Sequence, residues 1–150
     1  MHRDQWDYTF KTNIYSYYWL AKYSLSHLRS SPNRSSTIIN MTSVNHYIGR
    51  PDLLDYTTTK GAIVAFTRAL SNQLVGEGIR VNAIAPGPVW TPLVVSTMKK
   101  ENLEQFNQTP MGRPGQPSEI ATCCVFLASQ DSSFISGSTL HPNGGTMVNG

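Results

Sequence analysis

Only two of the 150 residues are cysteine, Cys123 and Cys124, and they are adjacent. Neighbouring cysteines in a helical pattern fit neither a disulfide framework nor a CxxC metal or redox pair, so they read as buried thiols in reducing surroundings. Charge is also sparse: 12 Lys and Arg against 9 Asp and Glu give a net charge of +3. The basic residues are scattered, with Lys99-Lys100 the longest run, which leaves no patch for a nucleic acid. No apolar run approaches the roughly 18 residues of a membrane span, and Met1-His-Arg-Asp-Gln-Trp6 has no apolar signal core. No membrane partner is expected, and the cytoplasm is the expected compartment. The four histidines, His2, His27, His46 and His141, show no metal-ligand spacing with carboxylates or cysteines, so no metal site is expected. Ser43 lacks a Gly-x-Ser-x-Gly elbow, which argues against acyl transfer. Low-complexity tracts and internal repeats are missing too. What remains, 39% hydrophobic residues, suits one soluble domain spanning 1–150.

Trp6, Phe10, Ile14, Tyr17, Ala21, Leu25 and Leu28 recur every three or four residues. That spacing predicts one long amphipathic helix from near Met1 to near Ser30-Ser-Pro32. Asn13 falls inside it, although asparagine is a mediocre helix former. The turn cluster Ser30 to Ser36 leads into a β-rich run, Thr37 to Met41. A second helix is predicted from Tyr56 to about Val75. Its large apolar residues Ile63, Phe66, Leu70 and Leu74 form one stripe, and Gly61, Ala62, Ala65 and Ala69 form a second, small-residue stripe. Gly76-Glu-Gly78 stops that helix, and Ile79 to Ile84 reads as the next buried parallel strand, turned at its end by Pro86-Gly-Pro88. Pro92 to Gln108 mixes Leu93, Val94, Val95, Met98 and Phe106 with polar residues, as a surface helix would. Pro117 starts a helix with Ile120, Cys124 and Leu127 inward. Ser136 to His141 reads as a last short strand, closed by Asn143-Gly-Gly145. Helices alternating with strands predict an α/β chain with a parallel sheet.

The stretch from Asn40 to Lys60 carries the chemistry. Tyr56 and Lys60 are four apart, so on a helix they share a face one turn from each other. A free phenol titrates near 10, so acid-base work near neutrality needs the phenolate favoured by about 3 units, or about 4 kcal/mol. An ammonium about 4 Å away, at an effective dielectric of about 20, supplies attraction of that order. Ser43 closes the strand-like run and lies thirteen positions before Tyr56. Residues just past the carboxyl end of a parallel strand face the ligand crevice, where Ser43 and Tyr56 can meet at one carbonyl.

With Ile79-Arg-Val-Asn-Ala-Ile-Ala-Pro-Gly-Pro-Val-Trp-Thr91 and Asn143-Gly-Gly145 following in order, Ser43, Tyr56 and Lys60 resemble the catalytic core of the short-chain dehydrogenase/reductase family. The resemblance covers essentially all 150 residues but only the family's second, catalytic half. Members usually begin with a glycine-rich dinucleotide turn, and these residues contain none. The implied fold is the second half of a Rossmann-like doubly wound parallel sheet, about three strands with flanking helices.

The implied activity is NAD- or NADP-dependent interconversion of an alcohol and a ketone. By resemblance, Tyr56 is the proton donor and acceptor, Ser43 holds the substrate oxygen, and Lys60 favours the phenolate and holds the cofactor ribose. Asn13 matches the asparagine whose carbonyl, at a local irregularity of its helix, anchors a water near the lysine. Pro86, Gly87 and Val89 supply the backbone, and Thr91 the hydroxyl, that receive the nicotinamide carboxamide. The Pro92 to Gln108 segment corresponds to a mobile flap. The two long helices build a homodimer or homotetramer interface in the family; packing within one subunit is the plainer reading of the second stripe. Asn45, His46 and Trp90 are candidates to line the substrate pocket beside Ser43, and His46 also reads as an exposed loop histidine. Trp90-Thr-Pro-Leu93 and Arg113-Pro-Gly-Gln-Pro117 are most similar to the family's sugar-alcohol and stress-type reductases, which implies a small alcohol, ketone or sugar-alcohol substrate. A different expectation is a truncated remnant, inactive or partner-dependent, that binds no cofactor, its Thr37 to Met41 strand lacking one neighbour.

Overall fold

The expected first helix is realised as three consecutive segments: α1 (Arg3–Phe10), a π-helical turn (Lys11–Tyr15) and α2 (Ser16–Arg29). In the computed structural model, which describes residues 2–31, 35–97 and 108–148, the chain then continues through β1 (Ser36–Met41), a one-turn helix α3 (Asn45–Ile48) and α4 (Leu54–Leu74). A 3₁₀ turn (Val75–Glu77) and left-handed Gly78 lead into β2 (Ile79–Ile84). After it come α5 (Pro92–Thr97), α6 (Pro117–Ala128) and β3 (Thr139–Leu140). Met98 and Phe106 of the expected flap or surface helix lie outside the described residues; its first part is α5. Among the described residues no helix is long and apolar enough to cross a membrane.

The sheet is parallel throughout, in the order β1-β2-β3. Ser36 pairs with Ile79 and Met41 with Ile84, so β1 and β2 end level at their carboxyl ends. Every residue of β2 is buried, because helices cover both faces of the sheet. On one face Val81 and Ile79 pack with Leu70, Leu74 and Ala21; on the other Ile84 packs with Ile120 and Leu127. Each fully buried Leu or Ile here contributes about 1.5–3 kcal/mol relative to exposure. Cys123 and Cys124 are free and only half-buried, because α6 has one face on the sheet.

The last strand is shorter than Ser136 to His141. Gly137 adopts a left-handed φ of 76°, which breaks the extended run although its N–H still reaches the Val81 carbonyl at 2.8 Å. Side chains of β2 hold this segment instead. Asn82 donates to the Ile135 carbonyl at 2.8 Å and accepts from the Ser138 N–H at 3.0 Å. Arg80, buried, donates to the carbonyls of Ser132 and Ser129 at 3.0 and 3.1 Å. The Ile-Arg-Val-Asn run thereby fixes the connection that brings β3 beside β2.

Candidate active site at the carboxyl ends of the strands

Backbone hydrogen bonds lace together the loops that leave the three strands. Thr42 N–H donates to the Ile84 carbonyl at 2.8 Å and Val44 N–H to that of Pro86 at 3.1 Å. Gly87 N–H donates to the Pro142 carbonyl at 3.1 Å. A Cβ on Gly87 would stand 2.7 Å from Asn143 Cα, so only glycine permits this approach. Ser43, the Pro86–Thr91 segment and Asn143 therefore share one edge of the sheet.

Tyr56 and Lys60 occupy the first two turns of α4. The Lys60 ammonium lies 5.4 Å from the Tyr56 ring centroid and donates to the Met41 carbonyl, the last of β1, at 3.1 Å. The Lys60 carbonyl in turn accepts from Thr42 Oγ1 at 2.7 Å, so α4 is fastened to the end of β1 through both side chain and backbone. Burial holds the Lys60 ammonium below its ordinary pKa. Tyr17 Oη also donates to the Met41 carbonyl; burial pushes its phenol up, with the neighbouring Tyr56 adding to the shift. Among the described residues the Tyr56 hydroxyl has no hydrogen-bond partner.

Asn13 lies inside the π-helical turn, an i→i+5 irregularity of the sort that recurs at functional sites. Its Nδ2 donates to Thr59 Oγ1 at 3.0 Å, across from α4. The backbone irregularity that the family resemblance attaches to Asn13 is thus present in this chain.

Ser43 is buried, and its Oγ accepts from the Asn45 N–H at 3.2 Å. His46 is half-buried on α3, where the sequence alone also suited an exposed loop. Its Nδ1 contacts the Ser43 carbonyl and its Nε2 is buried without a hydrogen-bond partner among the described residues. Burial lowers its pKa, and since a carbonyl can only accept, the contact with Ser43 needs the proton on Nδ1. His46 thus grips the backbone of Ser43. The neighbouring Tyr47 Oη lies 3.0 Å from His141 Nε2, tying α3 to the end of β3. Asn45 is half-buried, and Trp90 is exposed, its N–H donating to Gly115.

Val89 forms a parallel bridge with Gly115, through Gly115 N–H to the Pro88 carbonyl and Trp90 N–H to the Gly115 carbonyl, both 2.8 Å. In that pattern the N–H and C=O of Val89 itself point away from Gly115. Among the described residues they have no backbone partner, which leaves one donor and one acceptor unused at this edge. Thr91 Oγ1 accepts from the Val94 N–H at 3.4 Å at the start of α5. These groups, with the two remaining donors of Lys60, fit the nicotinamide end of a dinucleotide.

Tyr17, Thr42, Thr59 and His141 also take part in this network, although the sequence marks Tyr17 as part of an apolar stripe and His141 as the end of a strand. Thr59 carries the nearest signal, lying between Tyr56 and Lys60. Tyr17 and His141 carry no signal of these contacts, since their partners are a backbone carbonyl and a residue 94 positions away.

A family model described as enoyl-(acyl carrier protein) reductase matches residues 1–147. An uncharacterised oxidoreductase of Schizosaccharomyces pombe is 59% identical over 146 residues, which are 97% of this chain and 50% of the relative. A glucose and ribitol dehydrogenase of Daucus carota is 60% identical over 142 residues, 94% of this chain and 47% of the relative. A solved 3-ketoacyl-(acyl-carrier-protein) reductase from Brucella melitensis, complexed with NADH, superposes with a TM-score of 0.87 at 30% identity, covering 97% of this chain and 59% of that one. The chain spans about half the length of the curated relatives it matches.

Proposed function

Because the chain belongs to the short-chain dehydrogenase/reductase family, we propose that it forms the catalytic half of an oxidoreductase that interconverts an alcohol and a ketone with NAD or NADP. The observation that carries this reading is the half-buried Lys60 ammonium beside the Tyr56 ring, anchored on Met41 and facing the edge that holds Ser43. A bound nicotinamide would supply hydride exchange with the substrate carbon.

The chain's residues handle the proton and the geometry. Tyr56 Oη gives a proton to the carbonyl oxygen in reduction and takes it back in oxidation. Ser43 Oγ donates to the same oxygen and stabilises the negative charge that develops there. Lys60 favours the phenolate and presents its remaining donors to the cofactor ribose. The carbonyl of Asn13 anchors a water that returns protons to this centre. Pro86, Gly87, Val89 and Thr91 orient the nicotinamide carboxamide. Asn45 and Trp90 stand at the substrate side, and His46 acts there through Ser43. The substrate class is a small alcohol or ketone, sugar alcohols included. The exposure of Tyr15, Tyr18, Trp19 and Tyr23 on the first helix and of Ala65 and Ala69 on α4 supports a homodimer or homotetramer.

The test joins a matching nucleotide-binding half to this chain and compares Tyr56→Phe with the parent. Turnover should fall by roughly 10²–10⁴, with cofactor affinity little changed. Near-normal turnover removes Tyr56 from this role.

A further inference from the structure

Both backbone polar groups of Tyr56 are tied to the first helix by side chains. On the N–H side, Asp55 Oδ1 accepts from Tyr56 N–H at 2.9 Å, while Asp55 Oδ2 accepts from Thr9 Oγ1 at 2.8 Å and from Gln5 Nε2 at 3.2 Å. On the carbonyl side, Thr59 Oγ1 donates to the Tyr56 carbonyl at 2.7 Å and accepts from Asn13 Nδ2 at 3.0 Å. Thr9 lies just before the π-helical turn and Asn13 within it.

This double attachment answers a specific weakness. Tyr56 is the third residue of α4, where an N–H has no partner inside the helix. The residue at the helix entry, Leu53, offers no side-chain cap. Without other support the first turn frays, and the Tyr56 ring moves with it, while Lys60 a turn later stays fixed on Met41. The Asp55 carboxylate supplies the missing acceptor and places negative charge at the positive end of the helix dipole. The bonds from Thr9 and Tyr56 N–H hold that carboxyl below its ordinary pKa, so it remains ionised. Thr59 is fully buried, and its one hydroxyl serves both Asn13 and Tyr56.

We infer that Asp55 and Thr59 are positioning residues for the acid-base tyrosine: they lock the first turn of α4 to the first helix and so set where the Tyr56 hydroxyl stands relative to Lys60 and Ser43. The inference rests on the reading of Tyr56 given above. It adds to that reading two residues that touch neither substrate nor cofactor. It also assigns a second task to the side chain of Asn13, beside that of its carbonyl.

The experiment uses the joined, complete enzyme with Thr59→Val, Thr59→Ser, Asp55→Ala and Tyr56→Phe. Valine keeps the shape of threonine and removes both hydrogen bonds, whereas serine keeps the hydroxyl. A displacement on the order of 1 Å can cost about 10²-fold in rate, so kcat should fall about tenfold or more in Thr59→Val and several-fold in Asp55→Ala. KM for the cofactor should stay within about twofold, Thr59→Ser should recover most of the rate, and the Tyr56 amide should exchange faster with solvent in Asp55→Ala. Unchanged kcat in Asp55→Ala and Thr59→Val beside an inactive Tyr56→Phe overturns the positioning role, even if melting temperatures drop. Normal turnover of Tyr56→Phe overturns the underlying reading instead. Should Thr59→Val fail to fold, the half-exposed Asp55 variant decides the matter.

Discussion

Lys60 and Tyr17 donate to the same acceptor: the carbonyl oxygen of Met41 receives the ammonium at 3.1 Å and the phenol at 2.9 Å. That oxygen ends β1, so the final carbonyl of a strand orients the lysine that lies against the Tyr56 ring. The arrangement has an energetic cost, because burial lowers the Lys60 pKa and, among the described residues, no carboxylate offsets it. A buried ammonium whose folded pKa lies below its unfolded value is penalised across the whole neutral range, and the penalty disappears only as pH rises above both values.

The Lys60→Met variant should therefore separate stability from function. At pH 7 it should melt above the parent, since the buried charge is gone and Tyr17 still satisfies the Met41 carbonyl. In the joined enzyme it should weaken cofactor binding and move the activity profile to higher pH. Calorimetry and pH-rate measurements check the two halves. A lower melting temperature with unaltered cofactor affinity would assign Lys60 to the scaffold.

Acid titration should expose the histidines near the site. Burial lowers the pKa of both His46 and His141; the Arg68 cation adds to the shift at His46, and at His141 the protonated form of His46 would add to it. In both, the folded state favours the neutral ring, so their stabilisation is fully present above the unfolded value near 6.5. It is lost as pH falls from there through the lower folded values. Urea unfolding between pH 7.5 and 5 should show stability declining, and a His46→Asn/His141→Gln chain should show a shallower decline. Equal slopes would count against this source of acid sensitivity.

The polypeptide of these 150 residues, purified by itself, should bind NAD and NADP only at millimolar concentration or weaker. Val89, Thr91 and Lys60 offer a few hydrogen bonds at about 0.5–1.5 kcal/mol net each, up to about 3 for the charged one. Association costs on the order of 4–15 kcal/mol. No glycine-rich turn among these residues receives the pyrophosphate. Calorimetric titration with each nucleotide measures it, and a micromolar dissociation constant would place the cofactor's main contacts within this chain.

Sequence by itself determined the order of elements and the placing of Tyr56 and Lys60 on one helix face. Helical periodicity from Trp6 to Leu28, the β-rich runs ending at Met41 and Ile84, and the Tyr56–Lys60 spacing are local patterns, and the fold keeps each of them. Tertiary structure alone decided how those groups are held. Backbone carbonyls carry no sequence signature, so the convergence of Lys60 and Tyr17 on Met41 appears only once β1 lies beneath α4. The π-helical turn places Asn13 against Thr59, a pairing 46 residues apart that no local period encodes. His46, which the sequence suited both to the pocket beside Ser43 and to an exposed loop, is turned inward because α3 packs it against Ser43 and Gly61. Side-chain chemistry is written residue by residue, but a shared acceptor exists only where packing brings two segments to one atom.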